Sequence, residues 1–327
     1  MRALLLALAL LCVPGTAMAQ RVQPASADLQ RMAAWAQQLM AVQQPVADAY
    51  QRCAPLNRQI VGLLRSKDGG RRESARAMLA KLHVCMADMQ AAMSGARDGF
   101  ARMKPLPKHL EETIHIDTGA VLRQTAASVD SMAESLGIMQ EMLVAVAAGD
   151  DALAMRKAAE GRMLMGRSLE GQIGLFQAMR SAMPLETHKA MFDIRILMMR
   201  TMQAIITHDP DSDDGQLSEK LRQYGAELRL AAASLRSNWQ REGQDLRNLV
   251  RQLNDPTRTA AVASIDNAFK TLAAIGDEAA AMLETLPEGK LAPADAVDIL
   301  DRLAGCEMRL LEAIRAMGEA IANIGSR

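Results

Sequence analysis

The chain has 327 residues, 38 basic and 38 acidic, for a formal net charge of +0; 50% of residues are hydrophobic but only 2% aromatic. Balanced charge removes the electrostatic case for nucleic acid or an anionic membrane as partner, and the scarcity of aromatic side chains argues against an extensive sheet. With 24 Met in the chain, core volume has to come from Leu, Ala, Ile, Val and Met, a set dominated by good helix formers.

The first 19 residues, MRALLLALALLCVPGTAMA, set Arg2 before an apolar run from Ala3 to Val13, a Pro-Gly break and an A-x-A site ending at Ala19. This pattern predicts a cleaved signal peptide over 1–19 and a periplasmic or secreted product, in a compartment where disulfides persist. Later apolar stretches are all interrupted by Arg, Glu or Gln before reaching the ~18 residues of a membrane-spanning helix, so no transmembrane anchoring is expected.

From Leu29 onward apolar residues recur in steps of three and four, the helical period in its bundle or coiled-coil form. The seam of the first segment runs through Leu39, Val46, Cys53 and Ile60, and that of the second through Ala75, Met78, Leu82, Cys85, Met89, Ala92 and Ala96. The same rule recurs at Leu217, Leu221, Tyr224, Leu228, Ala231 and Leu235, and at Ile265, Phe269, Leu272, Ile275, Ala279 and Met282. Gly, Pro and Asp clusters cut the pattern into predicted helices over 26–66, 70–102, 111–148, 151–181, 185–207, 214–254, 256–284 and 292–325. The reading is all-α: long antiparallel helices forming two four-helix bundles in tandem, 20–182 and 183–327, or one elongated helical bundle.

Cys53 and Cys85 each lie sixteen residues from Gly69, so an antiparallel hairpin turning there brings them level, and a disulfide is expected between them. Bridged Cα atoms must lie within about 7 Å while helix axes usually stand 8–10 Å apart, so the two helices have to approach closely. Cys306 is then the odd thiol, expected to be buried and inert.

Two segments have metal-like composition. His83, Met86, Met89 and Met93 beside Cys85 resemble a soft-ligand stripe for copper(I), although methionine at helical spacing is ordinarily core. Asp209, Asp211 and Asp213 alternate as calcium ligands do, but Asp214 stands where the tight-turn glycine belongs and Lys220 replaces the bidentate Glu. An acidic linker capping the next helix is the plainer reading. The five histidines are scattered, and H-E-x-x-H, the nucleophile elbow, the P-loop, G-x-G-x-x-G and C-x-x-C-H are all missing. The sequence therefore points away from an enzyme and names no cofactor.

Arginine spacing is more specific. GRMLMGRS and DIRILMMRT both contain R-x-L-x-x-R, as Arg162/Leu164/Arg167 and Arg195/Leu197/Arg200. A fold-back at Met183-Pro184 would bring Arg167 and Arg200 level, and paired guanidinium groups invite a carboxylate or small anion. The alternative is four arginines snorkelling from the edges of a seam.

AEGRMLMGR, with Arg162, Met163, Leu164 and Arg167, resembles the core of the motif that opens the PilJ-type N-terminal domain of type IV pilus methyl-accepting chemotaxis transducers. LAGCEMRLL keeps Leu303, Ala304, Gly305 and Leu310 of the same pattern. The chain departs from it by lacking the upstream Asn, the first motif arginine and the Ser-Gln pair. The resemblance implies a periplasmic helical sensor module, with Arg162 and Arg167 nearest the ligand-reading positions and signalling delegated to a partner.

Together these features give an exported, non-enzymatic helical-bundle protein, a sensor-like module or adaptor that binds a small anion or a partner protein, with a homo-oligomer as a further option. The alternatives are periplasmic copper or calcium binding, and a structural envelope spacer without ligand.

Overall fold

A computed structural model describes residues 70–114, 116–208 and 215–325, together with helical positions between Asp28 and Gln59. The fold is all-α, and among the described residues there is no strand. After the N-terminal helical segment come α1 (Arg71–Arg102), α2 (Lys108–Ile114), α3 (Thr118–Ala148) and α4 (Asp151–Ala182), then α5 (Glu186–Thr207), α6 (Gln216–Leu253), α7 (Pro256–Glu284) and α8 (Pro293–Gly325).

These bounds follow the sequence pattern except over 111–148, which is interrupted between α2 and α3. The break lies within Thr113–Thr118, where β-branched Thr113, Ile114, Ile116 and Thr118 lose rotamer freedom in a helix and Asp117 competes for backbone hydrogen bonds.

The chain packs as two compact units. The first comprises Gln38–Pro105 and Thr118–Gln172; the second comprises Leu106–Asp117 and Ile173–Arg327, with the described residues before Gln38. The expected boundary at 182/183 followed the helix-breaking Pro184, whereas the units divide inside continuous α4, where burial changes. Before Ile173 only Ala154 and Gly166 of α4 are buried; from there Ile173, Phe176 and Met179 are.

In the first unit α1 packs along α3. Leu82, Met89 and Ala96 of α1 are buried at heptad spacing, joined by Met86, Met93 and Phe100. The α3–α4 turn is a Schellman motif: Gly149 takes φ 81, Asp150 N–H donates to the Ala145 carbonyl at 2.9 Å, and Gly149 N–H to Val146 at 3.1 Å. The Asp150 carboxylate then accepts from Leu153 N–H at 2.9 Å and caps α4.

In the second unit α5 packs on α6, α6 on α7, α7 on α8, and α8 returns to α5. The α6–α7 pair runs antiparallel in one register, because Arg229–Glu284 and Arg236–Asp277 are ion pairs seven residues apart on each helix, and Arg247–Asp266 follows eleven further on. The expected seams are buried here: Leu217, Leu221, Leu228 and Leu235 on α6, and Ile265, Phe269, Leu272 and Met282 on α7. Gly276 lets the helices close up, since a Cβ there would lie 3.0 Å from the Ala232 methyl and 3.2 Å from Ile194.

Candidate functional site

An open concave feature follows from close approach in the first unit. Cys53 and Cys85 lie at disulfide distance, with Cα atoms 5.7 Å apart. At the other end Gly99 faces Val42 so tightly that a Cβ there would meet the Val42 methyls at 2.7 Å. The absence of a side chain at Gly99 is thus what permits the approach that the disulfide requires.

Between these pinch points the N-terminal segment and α1 leave a shallow surface groove. Its larger section, about 710 Å³, is lined by Ala41, Pro45, Ala91 and Ala92, with Gln44, Asp48, Arg52 and Asp88 at its polar end. A section of about 340 Å³ shares the four small residues and adds Gly95, Gly99 and Arg102. Arg52 pairs with Asp88 at 3.2 Å, both exposed. Arg102 is exposed and its side chain has no partner among the described residues.

The four expected arginines have different surroundings. Arg162 and Arg167 lie on the first-unit part of α4, exposed and without an ion pair among the described residues. Arg195 is 4% exposed in the second unit, donates Nη2–H to Glu307 at 2.6 Å and stacks 4.2 Å over the Phe176 ring. Its Nε and Nη1 and the Glu307 Oε2 have no hydrogen-bond partner among the described residues. Arg195 therefore has a carboxylate from its own chain as counter-ion. Arg200 is half-buried. The fold-back at Met183-Pro184 does form, held by the Arg180–Asp193 ion pair and a Phe176–Phe192 ring contact at 6.0 Å.

Of the soft-ligand stripe, Met86 and Met89 are buried core while His83 is exposed, so the three side chains do not converge. Asp209, Asp211 and Asp213 lie outside the described residues. No group of three or more His, Cys, Asp or Glu that could hold a metal ion occurs among the described residues. Cys306 is buried; desolvation pushes its thiol pKa up and the nearby Glu278 charge adds to this, which keeps it protonated.

Sequence reasoning did not single out a polar cluster at the start of α5. Glu242 of α6 accepts the backbone N–H groups of Glu186 at 3.2 Å and Thr187 at 3.1 Å, doing for α5 what its own N-cap Leu185 cannot. Behind it His188 is 4% exposed, and desolvation lowers its pKa to about 4 against the opposing pull of the Glu242 charge. The available signal was positional, since His188 and Arg195 stand seven residues apart on one face of α5.

No protein-family model, curated protein or solved structure matches the chain.

Proposed function

We propose that the chain is a non-catalytic binding protein, an adaptor whose groove beside α1 receives one amphipathic helix of a partner protein. The supporting observation is the groove itself, a long, open trough between two helices, floored by Ala41, Pro45, Ala91, Ala92 and Gly95. Packed helices stand 8–10 Å apart with side chains of one in grooves of the other, and small residues on one wall provide that depth. So shallow and open a trough buries too little of a small molecule to hold it but suits an elongated partner. At one end Arg102 has no carboxylate partner among the described residues, which favours a helix carrying Asp or Glu near that terminus. Export to the periplasm or beyond belongs to this proposal and rests on the 1–19 sequence.

A small anion has less to bind. The Arg195 charge is already met by Glu307, and Arg162 and Arg167 are exposed to water, where an ion pair contributes little.

A photo-crosslinking residue at Ala91, in cells that make the protein, is expected to capture one partner through a helical segment. That helix, purified, should bind the unmodified chain and lose at least about tenfold affinity for Gly95→Trp, a change of about 1.4 kcal/mol. A Cβ at Gly95 meets nothing within 4 Å, so the substitution fills the trough without disturbing the core. Unchanged affinity for Gly95→Trp, or adducts forming only from a position in the second unit such as Leu230, rejects the groove.

A further inference from the structure

The face of α1 opposite buried Leu82, Met89 and Ala96 stays uncovered along the helix among the described residues, and its charges complement themselves. Ala77, Ala80, Val84, Ala87, Ala91 and Gly95 follow one another in steps of three and four, the spacing of a helix-pairing seam. All six are exposed, Val84 at 71%. Only Val84 among them is larger than alanine, so a second helix can come close. Four charged groups border the seam, Glu73 and Arg76 at its start and Asp98 and Arg102 at its end. All four are exposed, and their side chains make no ion pair or hydrogen bond among the described residues.

The order of these groups along the helix identifies the occupant. Glu73 and Arg102 are equally far from the point between Ala87 and Asp88, and so are Ala80 and Gly95, and Val84 and Ala91. In an antiparallel helix pair with a two-fold axis at that point, residues equally far from it come level. Glu73 then meets the partner's Arg102, and Arg76 meets the partner's Asp98 within one residue's offset. Val84 comes level with the partner's Ala91, where small Ala91 and Ala92 line the groove and leave it room. Asp88 reaches the axis already paired with Arg52 of its own chain at 3.2 Å, so the two copies do not bring bare carboxylates together. Symmetry makes each contact twice.

We propose that this face of α1 is an isologous antiparallel dimer interface between two copies of the chain, with its axis between Ala87 and Asp88. A two-fold interface requires a patch that complements itself, and Glu73/Arg102, Arg76/Asp98 and Val84/Ala91 meet that requirement in one register. A parallel pairing fails it, because it stacks each charge on its own like-charged copy. The matched stretch from Glu73 to Arg102 spans about 43 Å of helix. Its ion pairs are exposed and screened by salt, so the association is reversible and strengthens as salt is lowered. The pairing covers Ala91, Gly95 and Arg102, so a second copy and the helix of a partner protein exclude one another at the groove. The dimer is the state of the chain without that partner.

Sedimentation equilibrium of the full chain tests this. The unmodified chain is expected to dimerise reversibly at about 100 µM, well above a micromolar dissociation constant. Glu73→Arg/Asp98→Arg sets arginine against arginine at every matched pair, and Arg76→Glu/Arg102→Glu sets acid against acid. Each variant alone is expected to dimerise at least about tenfold more weakly. An equimolar mixture of the two restores every pair and should recover a heterodimer, which a merely misfolded variant cannot do. A photo-crosslinking residue at Ala87 should give a chain-to-chain adduct, while one at Leu230 on α6 should not. A chain that stays monomeric at about 100 µM overturns the dimer, and the groove's affinity for a partner helix, read through Gly95→Trp, then stands or falls by itself. A dimer that persists in both charge-reversed variants, or a mixture that fails to associate, overturns it as well. Conversely, a mixture that associates while helix affinity ignores Gly95→Trp supports the dimer and rejects the groove.

Discussion

At the scale of single residues, the chain buries two ionisable groups on one face of α5 and treats them differently. Arg195 is paired with Glu307 and stacks over the Phe176 ring, whereas His188 is kept neutral by desolvation. The His188 pKa is lowered to about 4 from an ordinary 6.5. Between these values the unfolded chain binds a proton that the folded chain refuses, so this residue lowers stability as pH falls from about 6.5 towards 4 and costs nothing above that window, the full loss being roughly 3 kcal/mol. Urea unfolding of the unmodified chain and of His188→Gln, compared between about pH 7 and pH 4, should show a smaller acid loss in the variant. Parallel pH profiles would mean that His188 does not remain neutral in the fold. The sequence revealed where these two residues stand on their helix but not what they meet. Glu307 lies in LAGCEMRLL, over a hundred residues from Arg195, and no local pattern connects them.

Among the helices, local chemistry made most boundaries legible, and the exceptions are those where another part of the chain does the work. Asn254-Asp255-Pro256 announces its own structure: Asn254 is left-handed at φ 48, the Asp255 carboxylate accepts from Thr257 N–H at 2.8 Å and Arg258 N–H at 3.2 Å, and Pro256 opens α7. The start of α5 announces nothing, because its cap is Glu242, 55 residues beyond Thr187. The two helix starts should therefore fail differently. Asp255→Ala is expected to destabilise by about 1 kcal/mol, the usual cost of losing an N-cap, and to speed amide exchange only around Thr257 and Arg258. Glu242→Ala should cost about as much, because it strips two backbone N–H groups, that of Thr187 part-buried, of their acceptor, and should speed exchange at Glu186 and Thr187. Were exchange at the α5 terminus unaltered by Glu242→Ala, the interhelical cap would be ruled out. The groove belongs to this scale too. Small residues at seam spacing were visible in the sequence, but which seams are covered by other helices depends on packing that the pattern leaves open.

For the whole molecule, all-α architecture was fixed by composition and period, while the division into units was not. Helix continuity is local and Pro184 breaks it; compactness depends on which side chains are buried together, and that changes at Gln172/Ile173 inside an unbroken α4. Each unit has its own core, with Leu82, Met89 and Leu143 in one and Phe192, Leu221, Leu272 and Leu303 in the other. The Cys53–Cys85 link, closing a sequence separation of 32, lies wholly within the first unit. In the chain-entropy account such a link stabilises by about 3 to 4 kcal/mol, and it acts only on the part of the chain whose unfolded state it restricts. Cys53→Ser/Cys85→Ser should therefore lower the unfolding temperature of the first unit and leave amide exchange along α6 and α7 unchanged. Calorimetry combined with exchange mass spectrometry reads both quantities in one pair of samples. If α6 and α7 lost protection in step with α1, the two cores would be unfolding as one cooperative body, and the separate energetics assigned to them would fail.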